Sequence, residues 1–187
     1  MRIARVTIEG LTPYSQSKVM ESPRNDKELA KDHEERCWRE RCHVDKDGRL
    51  FVPPTAFKNG LASTAKAYSQ TIPGKGKQTW TKHFEMGIQV VEPLPLAVKL
   101  ADVRGEWVFV PSDGKRGGTK RVWKCFPVIE TWGGVVEFLV LDDTITKGIF
   151  EEYVADFGRF IGIGRFRPQN NGFYGRFKVL SVEWDGK

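Results

Sequence analysis

Cysteine and histidine are scarce in this chain of 187 residues, with three of each. Cys37, Cys42 and Cys125 are an odd number and give no disulfide framework, so a reducing, cytoplasmic compartment is expected. Met1 to Gly10 alternates like a strand and has no apolar core of a secretory leader. No apolar run approaches the ~20 residues that a membrane span needs, and no membrane partner is expected. With only His33, His43 and His83, few groups titrate near neutrality. No Ser/His/Asp or Cys/His signature stands out. Gly74-Lys75-Gly76-Lys77 lacks the spacing of a phosphate-binding P-loop, so nucleotide hydrolysis is unsupported and no cofactor is expected.

What is present is aromatic and basic. The chain has 12 Phe and 6 Trp, with 40% hydrophobic residues, enough for a folded core. Thirty Lys and Arg against 24 Asp and Glu give +6. The excess is local. Lys115, Arg116, Lys120, Arg121 and Lys124 face no acid between Gly114 and Lys124. Arg159, Arg165, Arg167, Arg176 and Lys178 face none between Gly158 and Lys178. Clustered positive charge suits a polyanionic partner better than a uniform excess does.

Periodicity places the elements. Arg2 to Glu9 reads as a strand, and Ser22-Pro23 as an N-cap before a charged helix from Asn25 to Arg41. That helix would bury only Leu29, His33, Cys37 and Trp38 and lie at the surface. Phe57, Leu61, Ala65 and Tyr68 mark a helix starting at Thr55. Phe84 to Val91 suits a strand. Trp107 to Val110 and Val122 to Ile129 suit a hairpin with a long basic tip. Val135 to Leu141 is a buried-type strand. Ile149 to Phe157 is an amphipathic helix ended by Gly158, and Gly175 to Trp184 is the last strand. The expected class is α+β, a ferredoxin-like or RRM-like antiparallel sheet with helices on one face. One domain over 1–187 is expected, with a charged helical insertion at about 18–48 and a protruding basic β-hairpin at about 105–129.

The sharpest motif is GRFIGIGRFRPQNNGFYGRF, Gly158 to Phe177, with Gly-Arg-Phe three times. Gly162, Gly164, Gly172 and Gly175 would form a backbone loop able to approach phosphates. Arg165, Arg167 and Arg176 would pair with phosphate oxygens, while Phe173 and Tyr174 would stack unpaired bases. The bland alternative is a tight helix-to-strand connection with core aromatics and solvated arginines. Lys115, Arg116, Lys120 and Arg121 on the hairpin form a second basic group, and Lys75, Lys77 and Lys82 a third. Ordinary charged loops are the alternative for both. His33, Cys37, Cys42 and His43 are weak metal candidates only, because adjacent Cys42-His43 is awkward geometry and the spacing matches no zinc signature.

These motifs resemble the RAMP superfamily, in particular the backbone subunits of CRISPR effector complexes. Ile3 to Ser17 is similar to the family's first strand and turn. LFVPPTAFKNGLASTA, Leu50 to Ala65, is similar to its Ile-Pro-Gly-x-x-x-Lys-Gly helix entry, with Lys58 at the lysine position. Pro54 and Asn59 depart from that pattern. Ile161 to Phe177 resembles the closing glycine-rich loop. The resemblance implies an RNA groove, side-by-side assembly and a thumb hairpin at Trp107 to Ile129. It also implies target cleavage by a loop Asp in some members, for which Asp26, Asp32, Asp45 and Asp47 match no motif. The length suggests a stand-alone or phage-borne version.

The function expected is therefore non-catalytic binding of single-stranded nucleic acid, RNA before DNA. Lys58 joins the basic residues above as a phosphate contact. Self-association or docking on CRISPR-type subunits is the expected protein partnership. A RAMP-type endoribonuclease, or an interaction module docking through the Arg24 to Arg41 helix, are the alternatives.

Overall fold

Residues 1–112, 114 and 117–185 are described by the computed structural model of the chain. Alternation of Ala4, Val6 and Ile8, all buried, against polar neighbours makes β1, Arg2–Gly10. A turn leads to the two-residue β2, Tyr14–Ser15, and a polar segment leads to α1, Ala30–Cys37, continued by a 3-10 turn at Trp38–Arg41. Then come β3, Arg49–Val52, and α2, Pro54–Tyr68, where Pro54 supplies a preset φ in the first turn. Next are α3, Thr81–Gly87, β4, Ile88–Val90, β5, Leu94–Lys99, and the paired β6, Arg104–Pro111, and β7, Arg121–Ile129. Finally β8, Gly133–Val140, α4, Lys147–Asp156, and β9, Phe177–Asp185, close the chain.

The main sheet runs β4-β8-β1-β9, antiparallel throughout. With α2 and α4 between strands, β1, α2, β4, β8, α4 and β9 give strand, helix, strand, strand, helix, strand. The fold is α+β and ferredoxin-like. Both helices cover one face: Phe57 of α2 and Phe150 of α4 meet Phe138 edge-on, and Phe150 also meets Trp184. Each fully buried aromatic of this kind stabilises by about 1.5–3 kcal/mol. The other face carries Arg5, Glu9, Glu137, Lys178, Glu183 and Asp185, and no aromatic residue. Arg5 pairs there with Glu137 at 3.1 Å and with Asp185.

Three local expectations give way. The helix read over Asn25 to Arg41 begins only at Ala30, because Lys27 takes a left-handed φ of +63° and the Glu28 carboxylate accepts the Asn25 N–H at 2.8 Å, while Glu40 accepts the Glu21 and Ser22 N–H groups at 2.8 and 3.0 Å ahead of it. Leu29 is exposed, and the buried stripe is instead Glu34, Cys37, Trp38 and Arg41. Glu34 and Arg41 pair at 2.8 Å; Glu34 accepts the Cys125 N–H and Arg41 donates to the Cys125 carbonyl. Two opposite charges thus serve the β7 backbone as a neighbouring strand would. Breaking a buried pair of this kind costs about 3–5 kcal/mol. Phe84 to Gly87 is helical rather than extended, since Trp80, Phe84 and Gly87 all bury on one side. Gly158 does not end α4. A π-helical turn, Phe157–Ile161, follows, and Gly162 stops it with its N–H on the Phe157 carbonyl, 2.8 Å.

Candidate nucleic-acid interface

Three separate stretches meet in one cleft of about 270 Å³. From the segment after β1 come Tyr14, Gln16, Ser17 and Lys18. The start of α2 gives Pro53, Thr55, Ala56, Asn59 and Gly60. The closing loop gives Gly162, Ile163, Gly164, Arg165 and Arg167, and His43 completes the wall. Among the described residues no carboxylate lines it, whereas Lys18, Arg165 and Arg167 do.

The closing loop is knitted to the first strand's turn. Arg165 N–H donates to the Ser15 carbonyl and Gly175 N–H to the Pro13 carbonyl, each at 2.8 Å, while Ile163 N–H reaches the Gly175 carbonyl at 3.0 Å. Gly164 and Gly175 sit at φ +77° and +73°, and a Cβ there would strike the carbonyl oxygens of Ser15 and Ile163 respectively. The N–H groups of Gly162, Gly172 and Gly175 are donated to carbonyls inside the protein. The glycines therefore build the wall of the cleft, and the side chains are left to meet a ligand.

Those side chains are not equivalent. Arg165 is mostly buried; its guanidinium lies 3.2 Å from Glu106, 3.4 Å from Ser15 Oγ and 3.8 Å from the Phe126 ring centre. Glu106 also accepts from Tyr174 Oη at 2.7 Å, and burial, then that bond, pushes the Tyr174 phenol up to about 12. One carboxylate so ties the closing loop to β6. Arg167 is half-buried, held among the described residues by Gln169 at 3.1 Å and the Gly164 carbonyl at 3.2 Å. Arg176 Nε donates to the Arg159 carbonyl at 3.1 Å. Phe166 and Phe173 are 54% and 59% exposed on the same loop.

Other basic residues expected at the site lie elsewhere. Lys58 Nζ caps the end of α3, on the carbonyls of Phe84 and Glu85, and burial lowers its pKa. Lys75, Lys77 and Lys82 are exposed in and after the loop between α2 and α3, away from the cleft lining. Lys120 and Arg121 are exposed near the hairpin tip, with Arg121 donating to the Phe109 carbonyl at 3.3 Å. Lys115 and Arg116 lie outside the described residues. The four metal candidates do not converge: His33 Nε2 is 2.8 Å from the Ser22 carbonyl, Cys42 is buried, and His43 faces the cleft. Among the described residues no three His, Cys, Asp or Glu side chains come together as metal ligands. Nor is any described helix long and apolar enough to cross a membrane.

Sequence reasoning missed Gln16, Lys18, His43, Thr55 and Asn59 as parts of one wall. Buried Gln16 joins two of its sides, accepting the His43 N–H at 2.8 Å and donating to the Phe51 carbonyl at 2.7 Å. Burial, and then Lys18, lower the His43 pKa, which favours the neutral ring. Asn59 had one signal, as a departure from the RAMP-type helix entry, and His43 stood out only as a weak metal candidate; Gln16, Lys18 and Thr55 had none.

No protein-family model matches the sequence, and no curated protein matches it either. Among solved structures, a chain in the cryo-EM structure of the Type III-B Cmr-beta complex bound to cognate target RNA matches over 98% of this chain, with a TM-score of 0.56 and 12% identity. The likeness is one of fold. This chain spans 60% of that neighbour's length. A chain of a CRISPR RNA-guided surveillance complex matches at a TM-score of 0.45 and 11% identity, covering 97% of this chain and 68% of that one. A chain of a Cas6 product complex matches at 0.35 and 15%, covering 94% and 50%.

Proposed function

We propose that this chain binds single-stranded nucleic acid, RNA before DNA, without cleaving it. The observation that carries the reading is the cleft wall itself: Lys18, Arg165 and Arg167 with no carboxylate, beside a loop exposing Phe166 and Phe173. A single strand needs phosphate contacts and aromatic faces together. Arg167 and Lys18 hold phosphates; Arg176 extends the track; Phe173 stacks a base, with Tyr174 holding the loop behind it. Arg165, engaged by Glu106 and Phe126, contributes positive field and fixes the loop. Lys58, Lys75, Lys77, Lys82, Lys120 and Arg121 act as a surrounding field. The main sheet's uncovered face is acidic and has no aromatic ring, so the strand does not use it as RRM-type sheets are used.

A fold shared with a chain of an RNA-bound complex supports RNA over DNA and a place among CRISPR-type subunits, side by side along the strand. The test is fluorescence anisotropy of the chain with single-stranded RNA, single-stranded DNA and duplex across a salt series. Affinity for a single strand that falls with salt and grows stepwise with strand length supports both binding and assembly. Failure to bind any of them at low salt sinks the reading. Metal-independent cleavage is a second reading, favoured by neutral His43 in the cleft. RNA cut in EDTA by the chain, and not by His43→Ala, would replace the binding reading with it.

A further inference from the structure

A second cleft, of about 550 Å³, is lined by Lys77, Gln78, Thr79, Lys82, His83, Met86 and Asp142 and shares no residue with the first. Its floor is a histidine–carboxylate pair: His83 Nδ1 lies 2.6 Å from Asp142 Oδ2, each side chain 23% exposed. The backbone sets this pair. Leu141 N–H bonds the Gly87 carbonyl at 2.8 Å, and a Cβ on Gly87 would strike the Asp142 side chain, so glycine there lets α3 close on the end of β8. Asp142 also accepts the Thr144 N–H at 2.8 Å. Burial works against its ionisation, but the bonds from Thr144 and His83 outweigh that and lower its pKa. A carboxylate has no hydrogen to give, so Nδ1 carries the hydrogen of the pair. That leaves Nε2 as the nitrogen for a ligand, and no described residue bonds it.

The charges around His83 have a definite sum. Lys82 comes from α3, Lys77 from the preceding loop, and Asp142 from the chain after β8. Arg2 of β1 reaches the Asp142 carbonyl at 2.5 Å and is spent on Asp143, 3.2 Å away. Trp80 meets the imidazole edge-on at 5.8 Å. With the imidazole protonated, Asp142 is neutralised and two ammonium groups remain, which suits a dianion. Thr79 adds a hydroxyl donor, and the volume suits a nucleotide-sized ligand.

We propose that this cleft binds a phosphate monoester, held by His83 Nε2–H, Lys77, Lys82 and Thr79. The site stands apart from the strand-binding cleft and does not depend on it. Binding takes up a proton at Nε2, because only the protonated ring can donate to phosphate while Nδ1 stays on Asp142.

The experiment is an NMR titration of the full chain with inorganic phosphate, following the His83 ring signals, assigned by their loss in His83→Gln. Chloride at matched ionic strength is the control. At about pH 6 the signals should shift and saturate at millimolar phosphate or below. The double variant Lys77→Ala with Lys82→Ala, both exposed, should keep the fold and lose the saturation. Signals that do not move, or that chloride moves equally, overturn the proposal. Adenosine 5′-monophosphate and a strand with or without a 5′-phosphate then separate the sources. Competition by the nucleotide identifies a small-molecule site, and competition only by the phosphorylated strand identifies end recognition.

Discussion

Two stretches of this chain look alike on paper and differ in the folded molecule. The loop between α2 and α3, at 69–80, and the closing loop, at 162–176, both interleave glycine with Lys or Arg. Gly74 and Gly76 have left-handed backbone, and a Cβ on either would meet nothing within 4 Å. In the closing loop a Cβ on Gly164, Gly172 or Gly175 would run into backbone carbonyls. The first loop uses glycine to turn the chain in open solvent; the second uses it to let three backbones touch. Its cations follow suit: Lys75 and Lys77 are exposed, whereas Arg165 is mostly buried and packs against Glu106 and Phe126. Glycine with arginine therefore marks a built wall only where another segment is pressed against it.

The sharpest way to break that comparison is to add a methyl group to each loop. Gly175→Ala should cost more than about 3 kcal/mol, from collision with Ile163 and left-handed strain together, lowering Tm by roughly 10 °C. Gly74→Ala, with strain alone, should cost about 1–2 kcal/mol and lower Tm by a few degrees. Equal shifts in thermal melts would mean that the closing loop is not packed as described.

Next in size is the contrast between two arginines of one motif. Arg165→Ala should lower stability by about 1–3 kcal/mol, since Glu106 and the Phe126 ring lose a partner. Arg167→Ala should leave Tm within about 1 °C, weaken strand binding, and reduce the salt slope of log affinity by about one phosphate contact. A Tm loss from Arg167→Ala as large as that from Arg165→Ala would make both structural.

A smaller effect separates the groove from the free loop. Lys18→Ala should weaken single-strand binding several-fold and Lys75→Ala less than twofold at moderate salt, both read by anisotropy. The reverse order would move the strand's path to the loop between α2 and α3. The smallest effect is on pH. His43 has a folded pKa below its unfolded value, so the unfolded chain binds more protons as pH falls through about 6.5 and stability declines there. His43→Gln should flatten that part of a pH–Tm profile; an unchanged profile would show that His43 contributes nothing to it.

Much of the fold was legible because its signals are local. The buried alternation of β1, the Pro53-Pro54 entry to α2 and the 3.6-period of Ile149 to Phe157 each depend on neighbours a few residues away. The misread segments were set by contacts that period and capping signals do not report. Ser22 is held by Glu40 and not at a helix start, Phe84 is helical because Trp80 and Gly87 bury beside it, and Gly158 gives way to a π turn ended by Gly162. At the candidate cleft, Arg165 and Arg167 stood out by composition. Lys18, His43 and Asn59 did not, since polar residues in three unrelated stretches carry no common period.

The sequence alone determined the order of the main-sheet strands and their two helices, the α+β class, and where positive charge and glycine concentrate, because period, turn chemistry and composition act over short spans. Tertiary structure decided which of those charges face a ligand. Arg165 meets Glu106 across 59 residues, His83 meets Asp142 across 59, and Glu34 meets the Cys125 N–H across 91. Pairings of that reach depend on strand order and close backbone approach, which arise only when the sheet assembles.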